Sequence, residues 1–346
     1  MAITPGSTSS EIWLVGDIGG TNARFGLVSP QDDLLQTRTL PVQDHPAIFE
    51  AINAYLGERG ELAMPRQGAI AIASAITGDR VAMTNHPWSF SISTLRSQLG
   101  FDRLEVLNDF TALALALPHL KAEDRLTVGG GIAAQGAPLG VLGPGSGLGV
   151  SGVIPSGTGW IALAGEGGHA TMAPTTDRES AVLDRLRRHF DHVSAERVLS
   201  GPGLINLYNA LASLAGIPSR GYTAAQITDP DAGAADPLCA EATTLFCAML
   251  GTMAANLALT IGARGGIYIG GGIVPRLGQR LIESPFRARF VEKGRFSDYL
   301  SALPTYVVPH PLPAFIGCAA LLAGRGSGGP RGQVKTGDAG NDQSQG

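Results

Sequence analysis

Apolar residues in this chain fall in short runs separated by glycine-rich turns. Ile12, Trp13, Leu14 and Val15 form the first run, a turn from Gly16 to Asn22 follows, and Ala23, Phe25, Leu27 and Val28 resume it. Apolar runs on both sides of such a turn predict an antiparallel hairpin, and a third strand at 34–40 completes a meander. Residues 46–59 carry Ile48, Ile52, Tyr55 and Leu56 at helical spacing. The stretch GAIAIAS at 68–74 is a continuous apolar run and predicts a buried strand. A helix at 92–99, a strand at 104–107 and a helix at 110–117, stopped by Pro118, follow. A meander followed by βαβα is an α/β pattern.

The second half repeats the opening device. Leu139, Val141 and Leu142 enter a turn containing Gly143, Gly145, Ser146, Gly147 and Gly149, and Val150 to Ile154 leave it. The repetition predicts a duplicated α/β domain. Helices are expected at 178–188, 203–214 and 238–261. A strand at 267–269 runs into Gly270, Gly271 and Gly272 and then a helix, followed by a strand at 305–308 and a helix at 314–323. From Arg325 onward the residues are glycine, polar and charged without periodicity, which reads as a disordered tail, 325–346.

Composition narrows the class. The 346 residues suit two domains. With 25 basic and 29 acidic residues the net charge is −4, so neither a nucleic-acid footprint nor a polybasic membrane patch is present. Cys239, Cys247 and Cys318 form no C-x-x-C pair, which excludes a disulfide framework and a cysteine zinc site and fits a reducing compartment. The 22 residues 242–263 carry no formal charge, but interspersed threonines, Asn256 and two glycines make this a buried helix rather than a membrane span. No positive charge precedes the first apolar run, so no signal peptide is expected and the cytoplasm is the expected location.

The glycine clusters invite a nucleotide. A Walker loop needs Gly-Lys-Ser/Thr, and Lys121, Lys293 and Lys335, the three lysines, never follow glycine. The G-x-G-x-x-G matches at Gly147 and Gly324 open no helix after a strand, and the protein-kinase fingerprint is missing. What remains is the tip Gly16, Asp17, Ile18, Gly19, Gly20, Thr21, Asn22. Its N–H groups can cradle phosphate, Thr21 and Asn22 add donors, and Asp17 can hold Mg²⁺ through water. An Asx-turn hairpin explains the same segment equally well. Gly145, Ser146 and Gly147 would form a second phosphate turn, and Gly270, Gly271 and Gly272 a third, against adenosine.

These three turns, in this order, resemble the actin, hexokinase and heat-shock chaperone superfamily. The whole chain from about residue 14 to 322 is similar to bacterial glucokinases of the hexokinase type. The segments that carry the likeness are LVGDIGGTNAR (14–24), TGDRVAMTNH (77–86), Asn108-Asp109-Phe110, GEGGH (165–169), VSAERVLSGPG (193–203) and GGGIVPR (270–276). The resemblance implies a two-lobed, duplicated actin-like ATPase (ribonuclease H-like) fold with an active-site cleft between the lobes. The expected small lobe is 11–117 plus 310–324, and the large lobe 118–309. It also implies ATP with Mg²⁺, glucose as acceptor, a place in glycolysis and a homodimer. In isolation Asp109 reads as a helix N-cap; by resemblance it is the catalytic base. Glu166 and His169, on their own a polar turn, and Glu196, on its own an exposed helical residue, become by resemblance contacts to the glucose hydroxyls, together with Asn108. The cysteine-rich zinc motif of the related repressor/open-reading-frame/kinase group is missing after His169, so zinc is not expected. Too few residues precede the first strand for that group's DNA-binding helices. A kinase for another hexose or an aminosugar, and a non-catalytic sugar sensor, are the alternatives.

Overall fold

The computed structural model describes residues 11–84 and 86–327. Strands β1 (Trp13–Ile18), β2 (Asn22–Val28) and β3 (Leu34–Pro41) form an antiparallel meander. Helix α1 (Ile48–Gly57) leads to β4 (Gln67–Ile72), parallel to β1. A ribbon of β5 (Arg80–Ala82) and β6 (Ser89–Ser91), then α2 (Ile92–Leu99), precede β7 (Arg103–Asn108), parallel to β4. The sheet order is β3-β2-β1-β4-β7. Successive side chains of a strand point to opposite faces. Trp13, Val15, Ala69 and Ala71 therefore enter one core, while Leu14, Ile18, Ile70 and Ile72 enter another with Ile48, Ile52 and Tyr55 of α1. Covering both faces is why these strands read as continuous apolar runs.

After helix α3 (Asp109–Ala116) and β8 (Leu126–Gly129), the device recurs. Strands β9 (Leu139–Pro144), β10 (Leu148–Ser156) and β11 (Gly159–Leu163) form a second antiparallel meander. Helices α4 (Asp177–Arg187), α5 (Gly201–Leu214) and the long helix Pro237–Ile261 follow. Then β12 (Ile267–Ile269) pairs parallel with β9, and β13 (Thr305–Val307) pairs parallel with β12. The order β11-β10-β9-β12-β13 repeats β3-β2-β1-β4-β7 in sequence and direction, with β8 added at one edge. The repeat seen at two turns thus extends to two whole sheets.

The expected tail needs a correction. Arg325 forms an ion pair with Asp32, and Gly326–Ser327 is a short strand, β14, paired with Trp160 and Ile161 of β11. The free edge of β11 offers ladder groups that this segment takes up. The remainder of the tail, 328–346, lies outside the described residues.

Helix α3 packs on β9, β10 and β11 and on the C-terminal helix Pro313–Leu322, which in turn packs on β1 and β4. The two helices form the layer between the sheets. A Cβ at Gly317 would come 1.8 Å from the carbonyl oxygen of Ala112, so their backbones touch there. Helix Pro237–Ile261 is long and apolar enough to cross a membrane, yet Phe246, Leu250, Met253 and Ala254 are core residues of the second lobe. The hydroxyls of Thr243, Thr244 and Thr260 bond back to carbonyls one turn earlier, which satisfies them within the helix.

Candidate active site

The C-terminal ends of β1, β4 and β7 are in register: Ile18 lies opposite Ile72, and Ile72 opposite Asn108. In an open α/β sheet this edge is where ligands bind. Asp17 near the end of β1 and Asp109 just beyond β7 share it. Asn108, not Asp109, is the N-cap of α3. Its Oδ1 accepts from the N–H groups of Phe110 (2.9 Å) and Thr111 (3.2 Å). Asn108 has the extended backbone a cap requires, whereas Asp109 is already the first helical residue. Asp109 Oδ1 accepts from the Phe110 N–H at 2.9 Å. Burial pushes the Asp109 carboxyl up to about 6; the Phe110 N–H opposes the rise and the negative charge of Asp17 adds to it. Such a group is ionised at neutral pH yet basic enough to take a proton from a hydroxyl in a transition state.

Asp17 is ion-paired with Arg24, Oδ2 to Nη1 at 3.1 Å. Burial raises the Asp17 carboxyl and the guanidinium opposes that shift. Sequence reasoning passed over Arg24, although hairpin register exposes it: once Ile18 faces Ala23, Asp17 must face Arg24.

The three glycine turns share one feature. In the first, the tip is narrower than expected: Gly16, Asp17 and Ile18 belong to β1, with Gly16 buried beside Ile70 and Phe25, because the ladder pairs through Ile18. The Gly19 N–H bonds to Asn22 O at 3.0 Å. In the second turn Gly145 N–H bonds to Gly147 O at 2.8 Å, and in the third Gly270 N–H bonds to Leu142 O at 2.9 Å. Each turn leaves two consecutive N–H groups without a protein acceptor among the described residues: Gly20 and Thr21, Ser146 and Gly147, Gly271 and Gly272. Consecutive free N–H groups form anion-binding concavities. The second and third turns are in contact, since a Cβ on Gly271 would meet Pro144 O at 2.4 Å.

Phe110 fastens the two halves of the site. A Cβ at Gly149 would lie 1.9 Å from its ring, and one at Gly143 2.7 Å. These two glycines make room for the ring, so α3 and Asp109 are docked on the stalk of the β9–β10 hairpin. Glu166 precedes the short 3-10 helix Gly167–His169, which is pressed on β10: a Cβ at Gly168 would come 2.0 Å from Leu148 O. Glu196 lies in a second 3-10 turn, Ala195–Arg197, half-buried rather than exposed, and its Oε2 accepts the Leu148 N–H at 2.9 Å. Glu196 and the turn that carries Glu166 and His169 therefore approach Leu148 from two separate segments. Glu166 and His169 are exposed. Among the described residues Glu196 Oε1 has no hydrogen-bond partner, and Asn108 donates an amide N–H to Ser74 O at 3.4 Å. Among the described residues no three His, Cys, Asp or Glu side chains gather as a metal cluster.

A family model described as Glucokinase matches residues 14–325. A glucokinase of Paramagnetospirillum magneticum is 52% identical over 314 residues, covering 90% of this chain and 98% of its own. The crystal structure of a glucokinase from an Antarctic psychrotroph has a TM-score of 0.84 at 36% identity, covering 91% of this chain and 99% of its own. A ROK family glucokinase from Streptomyces griseus, in complex with glucose and AMPPNP, shares the fold with a TM-score of 0.60 at 19% identity, covering 91% and 100%. The two-lobed actin-like architecture is that of these sugar kinases. With its matched strand ends, its three glycine turns and half its sequence in common with such an enzyme, the chain belongs to the glucokinase family, whose reaction is the ATP-dependent phosphorylation of glucose.

Proposed function

We propose that the chain transfers the γ-phosphoryl group of ATP to O6 of D-glucose, giving D-glucose 6-phosphate and ADP, with Asp109 as general base. The observation that carries this reading is the Asp109 carboxylate itself: half-buried, pushed up to about 6, at the strand end shared with Asp17. As O6 bonds to the γ-phosphorus, its proton passes to an Asp109 oxygen. The bond from phosphorus to the β,γ-bridging oxygen breaks and ADP leaves. The N–H pairs at Gly20-Thr21 and Ser146-Gly147 support phosphate binding, with Asn22 and Thr21 side chains as further donors. Gly271-Gly272, next to the second turn, suits the adenosine end.

Asp17 fits Mg²⁺ by its chemistry, as a hard carboxylate beside a phosphate turn. Arg24 already offsets part of its charge, which suits contact through water. Asp17 would hold the ion there, and the ion's charge would offset that of the phosphates. Zinc has no part in this reading. Asn108, Glu166, His169 and Glu196 bind the glucose hydroxyls. We also infer a cytoplasmic homodimer acting in glycolysis, from the family alone; light scattering on the purified protein should give the mass of two chains, and the mass of one would reject the dimer.

Substitution separates the two halves of the cleft. A buried hydrogen-bonding group left without its partner costs about 1–3 kcal/mol. Glu166→Ala and Glu196→Ala should raise KM for glucose by about tenfold or more with little change in KM for ATP. Asp17→Ala should impair ATP use and leave equilibrium glucose binding near wild type. Steady-state kinetics with each substrate varied, and calorimetry with glucose, test this; unchanged glucose KM in both glutamate variants would remove the sugar assignment.

A further inference from the structure

We infer that Glu179, in the first turn of α4, is a positioning residue for the glucose site; this rests on reading Glu166, His169 and Glu196 as the sugar contacts. Glu179 is fully buried, an unusual place for a glutamate. One carboxylate oxygen accepts from Arg289 Nη1 at 2.7 Å. The other accepts from the N–H of Thr175 at 2.7 Å and from its hydroxyl at 2.8 Å. A capping-box glutamate at this helix position would bond the N–H of the cap residue, here Thr176. Glu179 reaches one residue further back and across to another helix.

Thr175 ends a strap that begins at His169. Its first half, Ala170 to Met172, is paired with the segment carrying Glu196. Ala195 N–H donates to Ala170 O at 2.8 Å, Met172 N–H donates to Val193 O at 3.0 Å, and Thr171 pairs with Ser194 in an antiparallel bridge. The strap therefore starts at His169, just after Glu166, pairs next with the segment of Glu196, and is fixed at its far end by Glu179. The fixing point is rigid. Arg289 belongs to the helix Phe286–Val291, which sits on the central helix Pro237–Ile261. A Cβ at Gly251 would come 2.3 Å from Phe286 O, so those two backbones touch. Apolar residues of similar volume commonly serve stability as well as a buried ion pair does. What the charge adds is a fixed anchor for the Thr175 backbone.

Glu179→Gln keeps an acceptor for Thr175 and loses the pairing with Arg289; Thr175→Val keeps the ion pair and loses the hydroxyl contact. Both should raise KM for glucose, Glu179→Gln by about 10- to 100-fold, the scale for a group displaced by about 1 Å, with KM for ATP held within about twofold. His169→Ala, measured alongside, should raise glucose KM as well. A lower melting temperature with unchanged glucose KM in both strap variants, while His169→Ala raises it, would make Glu179 structural only and overturn the inference. Unchanged glucose KM in all three would overturn the sugar assignment together with it. If Glu179→Gln does not fold, Thr175→Val decides alone by the same split.

Discussion

Asp109→Asn is expected to lower kcat by about 10²–10⁴-fold, the range for removing a general base, while glucose binds as before. The asparagine can still accept from Phe110 N–H but cannot take the hydroxyl proton. Stability should move the other way. The Asp109 carboxyl is raised in the folded protein to about 6 from 3.8, chiefly by burial. Its contribution to stability is therefore full below pH 3.8 and lost as pH rises through about 6. The variant should melt higher than wild type above pH 6, with the gap closing as pH falls. Thermal melts at several pH values and steady-state rates check both halves. A variant with wild-type kcat would eliminate the assignment; one less stable at every pH would contradict the account of burial.

Gly149→Ala is expected to cost both stability and rate. The new methyl would lie 1.9 to 2.2 Å from three ring carbons of Phe110, far inside the ~3.5–4.0 Å of ordinary contact. Phe110 must move, and Asp109 is its neighbour in the chain. Overpacking of this kind costs ~1–3 kcal/mol. Displacing the base by about 1 Å costs about 10²-fold in kcat. Adding Phe110→Leu should recover part of both losses, because the smaller side chain leaves room for the methyl. Had Gly149 served only to approach a phosphate, Gly149→Ala would instead raise KM for ATP, and Phe110→Leu would rescue nothing. Melting temperature and kcat for the two single variants and the double variant decide between these outcomes.

Local pattern carried most of the architecture. Both hairpins and the buried strands β4 and β12 follow from apolar runs broken by glycine, because strands covered on both faces need no alternation; the β7–α3 junction follows from an apolar run interrupted by Asn108 and Asp109. The edge strands β8 and β14 have no such signature; they exist through pairing with β13 and β11, which no single segment records. At the site, residue types alone could not tell a packing glycine from a phosphate-binding one. Gly149 admits Phe110, and Gly16 lies buried between Ile70 and Phe25, whereas Gly20 and Gly272 leave their N–H groups open. Glu196 looked like a surface residue because its partner, Leu148 N–H, is a backbone group in another segment. The cap at Asn108 was within reach, since asparagine before an aspartate-led helix is a better cap than the aspartate inside it. The Arg24 partner of Asp17 was equally within reach from hairpin register.

The most direct test of the central claim is a proton–phosphorus correlation spectrum of the product made from ATP and D-glucose, followed in time for wild type and Asp109→Asn. The account predicts a phosphorus resonance coupled to the two C6 protons, growing about 10²–10⁴ times more slowly in the variant. Coupling to a proton on any other carbon, or equal rates in the two proteins, would contradict it.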